Sequence, residues 1–277
     1  MPGGDLRARP LTGQLAETAL AFVREGRAPV EPRPAATVIL LRESPVGPEV
    51  YLLRRTTTMA FAAGMSVFPG GRVDPTDATI ADSWSGPSPA WFGERLGCSA
   101  EMAAAYVAAA VRETFEESGV LLAGPSADSV VADTTGDDWE ADRVALEGRS
   151  LGFADFLHGR GLVLRADLLG PWAHWTTPEF EPRRYDTAFF VAALPVGQLT
   201  RDVSGESDQV AWMHPAEAVA AVEAGQMAML PPTYLCCRDI ATHATVAGVL
   251  AESADRPIPS ILPKLRLDGD DAYLETE

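Results

Sequence analysis

The 277-residue sequence has one lysine, Lys264, so nearly all of its fixed positive charge is carried by arginine. Positive charge of any kind is outnumbered: 22 Lys and Arg stand against 39 Asp and Glu, a formal net charge of -17. A field of that sign repels phosphate backbones and anionic membrane surfaces, which argues against nucleic-acid or membrane partners. An anionic small molecule would need a locally positive site or a bound cation. Cysteine is also scarce. Cys98, Cys236 and Cys237 include one adjacent pair and no C-x-x-C, so neither a disulfide framework nor a zinc knuckle is suggested, and a reducing setting fits. The four histidines, His158, His174, His214 and His243, are scattered without ligand spacing, and none is expected as a metal ligand or catalytic base. No apolar run approaches the ~18 residues that would span a bilayer. The opening "MPGGDLRARPLTGQ" lacks the apolar core of a signal peptide, and the expected location is cytoplasmic.

What is present is enough apolar material, 47% of residues, to bury a sizeable core. "TGQLAETALAFVREG" has helical spacing and stops at Gly26, and "APVEPRPAA" reads as a connector. "ATVILLR" and "EVYLLRR" read as neighbouring strands and "MSVFPGG" as a third. Residues 72 to 97 have no clear period. From Ser99 to Ser118 the pattern is strongly helical, with Ser99 as N-cap and Gly119 as stop; "VLLAG" after it reads as a strand. Further helices are expected in "TTGDDWEADRVALEGRS" and "GFADFLHGR". Two strands are expected in "WAHWTTPEFEPRRYDTAFFVAALP", and a strand then a helix in "DQVAWMHPAEAVAAVEAG". One long helix is expected over "PPTYLCCRDIATHATVAGVLAES", followed by an extended proline-rich tail that wraps over the domain or over a second copy in a homodimer. Short strands mixed with helices, without a βαβ rhythm, predict an α+β chain folded as an α/β/α sandwich with a mixed sheet, an N-terminal helix and a C-terminal helical extension. The expected division is 1–34 for the helix and linker, 35–230 for the main domain with an irregular insertion at 72–98, and 231–277 for the extension.

The stretch "RETFEESGV", Arg112 to Val120, crowds Glu113, Glu116 and Glu117 together. At about 100° per residue, Glu116 and Glu117 flank Glu113 at roughly 60° and 40°, so all three share a face. Ala104, Val107, Ala108, Val111 and Phe115 fan across the other side, and Ala105 and Ala109 leave room toward the acidic face. Charge runs on helices usually form solvated faces. Here the carboxylates repel one another, only Arg112 is near enough to offset them, and they lie where the helix dipole disfavours negative charge. A hard divalent cation with oxygen ligands would relieve that arrangement.

The glycine pair Gly70 and Gly71 after a strand, followed by R-E-x-x-E-E-x-G at Arg112, Glu113, Glu116, Glu117 and Gly119, resembles the Nudix box. Two departures stand out: Gly71 precedes Arg112 by 41 positions where the box has 14, and the glutamate eight positions before the arginine is Ala104. An insertion inside the box resembles the branch that includes the peroxisomal coenzyme A diphosphatases of animals. "LLRRTTTMAFAAGMSVFPGG" is similar to that branch's coenzyme A motif at Arg55, Thr56, Gly64 and Phe68 to Gly71, and departs from it at Ala60. The terminal "LETE" lacks a peroxisomal tripeptide, so that location is not expected here.

The resemblance implies hydrolysis of a nucleoside diphosphate-linked compound, with coenzyme A or an acyl derivative favoured over NADH, ADP-ribose or dinucleoside polyphosphates. A non-catalytic nucleotide-binding scaffold is the reading from another class. It implies Mg²⁺ or Mn²⁺ held by Glu113, Glu116 and Glu117 with the Gly70 carbonyl, and one glutamate oriented by Arg112; Glu206 and Asp208 are either the source of an outer carboxylate or ordinary turn acids. The base is a glutamate of the box or a carboxylate from another loop. Arg55 and Gly71 are expected to face the substrate. Arg183 and Arg184 either bind its phosphates or form a solvated turn. Trp172, Trp175 and Tyr185 are expected in the core rather than on a nucleobase.

Overall fold

The computed structural model describes residues 8–57, 62–80, 83–203, 205, 207–269 and 271–276. The chain begins with β1 (Ala8–Pro10), α1 (Gly13–Glu25), β2 (Arg33–Ser44), β3 (Gly47–Arg55), β4 (Ser66–Val67) and β5 (Gly70–Arg72). A short 3₁₀ turn (Pro75–Thr79), β6 (Trp84–Ser85) and α2 (Pro89–Leu96) occupy the irregular region and lead into α3 (Ala100–Ser118). Then come β7 (Ala123–Gly124), α4 (Asp137–Glu147), α5 (Phe153–Arg160), β8 (Val163–Arg165), β9 (Gly170–Thr176), β10 (Tyr185–Ala193) and β11 (Ser207–Met213). The last elements are α6 (Pro215–Glu223), α7 (Pro231–Ile240), α8 (Val246–Asp255), β12 (Ser260–Ile261), β13 (Lys264–Asp268) and β14 (Asp271–Glu275). Among the described residues no helix is long and apolar enough to cross a membrane.

The main sheet runs β11-β3-β2-β10-β9-β12, with β4 on β3 and β5 on β2. It is mixed: β10 lies parallel to β2 and β12 to β9, and the other pairs are antiparallel. The unbroken apolar run of β2 is what a strand buried on both faces requires. Val38 and Leu40 turn to one side, joining Tyr51, Leu53 and Phe190 beneath the alanine-rich α3. Ile39 and Leu41 turn to the other, joining Val50, Leu52 and Phe189 against Tyr234 and Ile240 of α7 and Val249 of α8. The result is the expected α/β/α sandwich. Trp172 and Trp175 belong to this second core layer, where Cys236 and Cys237 are also buried.

Four expectations are corrected. The strand expected over "MSVFPGG" is two, β4 pairing with β3 and β5 with β2, with Phe68 and Pro69 between them. The C-terminal helix is two helices, because α7 ends at Ile240 with Ala241 as its C-cap, and Thr245 starts α8 by accepting the Gly248 N–H on its side chain. The tail is not simply extended: β12 joins the main sheet, and β13 and β14 form a hairpin paired with β1 in a second sheet, tying the two ends of the chain together. Of "VLLAG", only Ala123–Gly124 is strand; Val120 to Leu122 are buried in the core without a ladder.

A polar knot fixes the N-terminal half of α3 to the sheet. Asp186 on β10 accepts from Tyr106 Oη at 2.6 Å and Thr176 Oγ1 at 2.7 Å, with His174 Nε2 at 3.0 Å. The other ring nitrogen of His174 lies 3.2 Å from the Leu96 carbonyl at the end of α2. Burial alone would raise the Asp186 carboxyl, but the groups from His174, Tyr106 and Thr176 outweigh it and hold it at about 2. A carboxyl depressed in the folded state adds stability above its ordinary value near ~4, and that stability is lost as pH falls toward 2. Asp186→Asn is therefore expected to lower stability by about 1–3 kcal/mol at pH 7. The difference in urea midpoint from wild type should narrow below pH 4; a pH-independent difference would refute the assignment.

Candidate active site

Ser99 caps α3 by accepting the Met102 N–H on its hydroxyl at 3.1 Å, and Gly119 ends it with φ 73°. The alanine stripe lets the helix lie close on the sheet, and α2 packs along it. Burial is more complete than the spacing predicts: Ala105 and Ala109, expected to leave open space, are covered. So are the carboxylates, with Glu116 7% and Glu117 8% exposed. The acidic face is therefore an interior wall and not a solvated one.

Arg112 organises it. All five of its N–H groups are used. Nη1 donates to Glu113 Oε1 at 2.8 Å and to Glu116 Oε1 at 3.0 Å. Nη2 donates to the Arg72 carbonyl at 2.9 Å and, with Nε, forms a fork to Asp77, each bond 3.0 Å. Arg112 thus orients two box glutamates, one more than its expected role required. Asp77 is the residue that the sequence reading missed. It is fully buried, and its carboxylate also accepts the Asp74 N–H at 2.7 Å, closing a capping box around the 3₁₀ turn. The missing acid of the box is therefore not absent at Ala104. Asp77 follows Gly71 by six positions, the box's own glycine-to-acid spacing, so the first residues of the insertion complete the box and the remainder lies between Asp77 and Arg112. That spacing was the signal available in the sequence.

Glycines set the opposite wall. The Gly70 N–H donates to Glu117 Oε2 at 2.8 Å, so the described contact of Gly70 is through its amide, whereas its carbonyl was the expected ligand. A Cβ at Gly71 would fall 2.5 Å from the Glu113 carboxyl, which explains the second glycine. Gly119 is favoured for its positive φ, and a Cβ there would come within 2.8 Å of Arg201 Nε, so that side chain would have to shift. Arg143 and Arg201, also missed, reach the end of α3 from α4 and from the loop before β11. Arg143 donates to the Glu116 carbonyl at 2.7 Å, and the Arg201 N–H to the Ser118 carbonyl at 2.8 Å.

Burial is the largest influence on the acids. It raises Glu113 to about 7 against the opposing pull of Arg112, with Glu116 adding to the rise. Burial likewise raises Glu116 and Asp77 despite Arg112. The donor set is all hard oxygen and carries more negative charge than Arg112 offsets, which suits Mg²⁺ or Mn²⁺. Glu113, Glu116 and Glu117 are the residues that fit such an ion. As they stand, Glu113 and Glu116 are turned to Arg112 and Glu117 to Gly70, and among the described residues no group of three acidic, histidine or cysteine side chains is drawn together around an ion position.

The outer residues divide. Asp208 sits at a bulge of β11 with its carboxylate accepting from Arg54 Nε at 2.6 Å, at the surface. Glu206 and Ala60 lie outside the described residues. Arg54 and Arg55 take opposite faces at the end of β3, as expected, and Arg55 is half-buried. Arg184 is corrected: it is buried, with Nε on the Thr177 carbonyl at 3.0 Å and Nη1 on the Val30 carbonyl at 2.7 Å, where it ties the β9–β10 turn to the N-terminal linker. Arg183 is exposed. Asp77→Ala would leave Arg112 buried with too few partners, and a loss of about 3–5 kcal/mol in urea denaturation is expected. A change within ~0.5 kcal/mol of zero, as for a surface substitution, would contradict this role.

Comparison with known proteins bears on the family and the fold. A Xenopus laevis protein named acyl-coenzyme A diphosphatase NUDT19 is 25% identical over 219 residues, covering 67% of this chain and 58% of its own. The Homo sapiens protein of the same name is 28% identical over 281 residues, covering 83% and 73%. The chain thus spans little more than half the length of the frog relative. A solved NUDIX hydrolase structure from Alicyclobacillus acidocaldarius superposes with a TM-score of 0.71 at 24% identity, covering 83% of this chain and 99% of that one, and shows the same fold. The family model described as NUDT19 Nudix domain matches residues 92–239, which begins in the insertion and takes in the whole glutamate helix. By that match over more than half its length, the chain belongs to the NUDT19 Nudix domain family of the Nudix hydrolases.

Proposed function

We propose that the protein is a divalent-metal-dependent diphosphatase that cleaves coenzyme A or acyl-coenzyme A to 3',5'-ADP and (acyl-)4'-phosphopantetheine. The observation that carries this reading is the wall of Glu113, Glu116 and Glu117, two of them gripped by one arginine whose remaining donors are anchored on Asp77 and Arg72. A protein that only binds a nucleotide has no need to bury so much mutual repulsion. Splitting a diphosphate requires charge on nonbridging oxygens to be offset and a water to be oriented in line. A bound Mg²⁺ or Mn²⁺ would supply the positive charge that this acidic chain lacks. Its own residues divide the remaining work. Arg112 sets the directions of Glu113 and Glu116, Gly71 leaves the Glu113 carboxyl uncovered by a side chain, and a carboxylate of the wall takes the proton of the attacking water. The coenzyme A assignment is supported by the names of the frog and human relatives and by the similar stretch from Arg55 to Gly71.

The test is incubation with Mg²⁺ or Mn²⁺ and a panel of coenzyme A, acetyl-coenzyme A, NADH, ADP-ribose and diadenosine polyphosphates, with products identified by mass. Release of 3',5'-ADP is expected. Turnover of another member alone would reassign the substrate, and nucleotide binding without turnover of any would favour a scaffold. Glu116→Gln and Glu117→Gln are expected to cut turnover by more than the ~10- to 100-fold typical of losing an outer partner of a metal ligand, with the fold intact by circular dichroism. Arg183→Ala separates the last phosphate. If Arg183 reads the 3'-phosphate, KM rises for coenzyme A and not for dephospho-coenzyme A, and equal effects on both would remove it from the site.

A further inference from the structure

The end of α3 must be fixed as firmly as its acidic face. In a helix that continued, the Glu116 carbonyl would accept from the Val120 N–H, but that amide turns instead to Ser118 Oγ at 3.2 Å. Arg143 fills the gap. Its side chain is 3% exposed, and Nη1 donates to the Glu116 carbonyl at 2.7 Å. The rest of the guanidinium is held in place: Nε and Nη2 grip Glu140 at 3.0 and 2.8 Å, and Nη1 reaches Glu147 at 3.1 Å. Glu140 takes a second arginine, Arg201 Nη1, at 2.8 Å. Arg201 in turn covers Gly119 and bonds the Ser118 carbonyl through its main chain. Two arginines from segments distant in sequence, joined by one glutamate, close the turn that carries Glu116 and Glu117. Positive groups at a helix C-terminus complement its dipole, and here the Arg143 guanidinium bonds the Glu116 carbonyl while that of Arg201 bonds Glu140 and the Thr134 carbonyl, so neither is described on a box carboxylate.

We propose that Arg143, locked by Glu140, is a positioning residue for the carboxylate wall: it fixes the last turn of α3 so that Glu116 and Glu117 can serve one divalent cation. The inference rests on the reading of that wall as a cation site. Two effects of removing Arg143 have opposite signs, which makes the role measurable. Deleting a positive charge beside a cation site would tighten cation binding by charge alone, whereas loosening the turn that presents two ligands would weaken it.

The experiment is a titration of the full-length protein with Mn²⁺ alone, reading free Mn²⁺ by electron paramagnetic resonance, for wild type, Arg143→Met, Arg143→Lys, Glu140→Gln and Glu116→Gln. Thermal denaturation of each variant runs alongside. Wild type is expected to bind and Glu116→Gln to lose binding. Arg143→Met is expected to weaken binding by about 10- to 100-fold, the range for partners one bond removed from a metal. Arg143→Lys should recover part of the loss, since an ammonium can meet the carbonyl without forking onto Glu140. Unchanged or tighter binding in a folded Arg143→Met overturns the inference and leaves the proposed function standing. If that variant does not fold, unchanged binding in both Arg143→Lys and Glu140→Gln overturns it equally. Failure of wild type itself to bind Mn²⁺ overturns the reading of the wall as a cation site, and this inference with it.

Discussion

One buried guanidinium carries the organisation of the acidic wall. Arg112 is the fixed positive charge in contact with Asp77, Glu113 and Glu116, and it meets them with a planar fork whose five donors all find acceptors. A buried ion is costly unless it is paired and fully bonded. Lysine, with three donors on a point charge, could not hold two helix glutamates, an acid from another segment and a main-chain carbonyl together. The near absence of lysine from this chain is consistent with a fold whose buried cations among the described residues are all multiply bonded: Arg112, Arg143, Arg165 and Arg184 each bond main-chain carbonyls, and the first three carboxylates as well.

This arrangement also accounts for how the glutamate helix tolerates an insertion ahead of it. Closing a longer loop costs little once its ends are fixed. Here one end is fixed by the short ladder of β5 on β2 and by the Asp74–Asp77 capping box, and the other by the Ser99 cap of α3. The inserted residues then fold onto the structure with their own apolar groups. Trp91 and Phe92 of α2 pack edge to face, and Phe92 meets Phe190 of the sheet. At the same time α2 covers α3, so the residues that lengthen the box help to bury the helix it depends on.

Burial gives the carboxylates their character. On a solvated helix, three neighbouring glutamates would ionise near their ordinary values and repel weakly through water. Against the Asp77 turn, α4 and the glycine turn they are desolvated, and Glu113 rises to about 7. Burial therefore makes it costly for these groups to ionise together unless a cation joins them, and Arg112, Arg143 and Arg201 hold the helix end and its side chains in place.

The sequence by itself determined the central strands, the glutamate helix and the acidic character of the wall. Central strands came from the two-sided apolar run of β2, the helix limits from Ser99 and Gly119, and the shared face of Glu113, Glu116 and Glu117 from the helical period, because each is a local property of neighbouring residues. The tertiary structure decided what depends on residues far apart in the chain. Asp77 meets Arg112 across 35 positions and Arg143 meets Glu116 across 27. Asp208 pairs with Arg54, and Arg184 is tied to the Val30 and Thr177 carbonyls, contacts that their neighbours in sequence did not suggest. The break between α7 and α8, and the pairing of the tail with β1, were hidden for the same reason. A pairing or a buried hydrogen bond is fixed by which distant groups the sheet and helices bring within ~3 Å, and no local pattern records that distance.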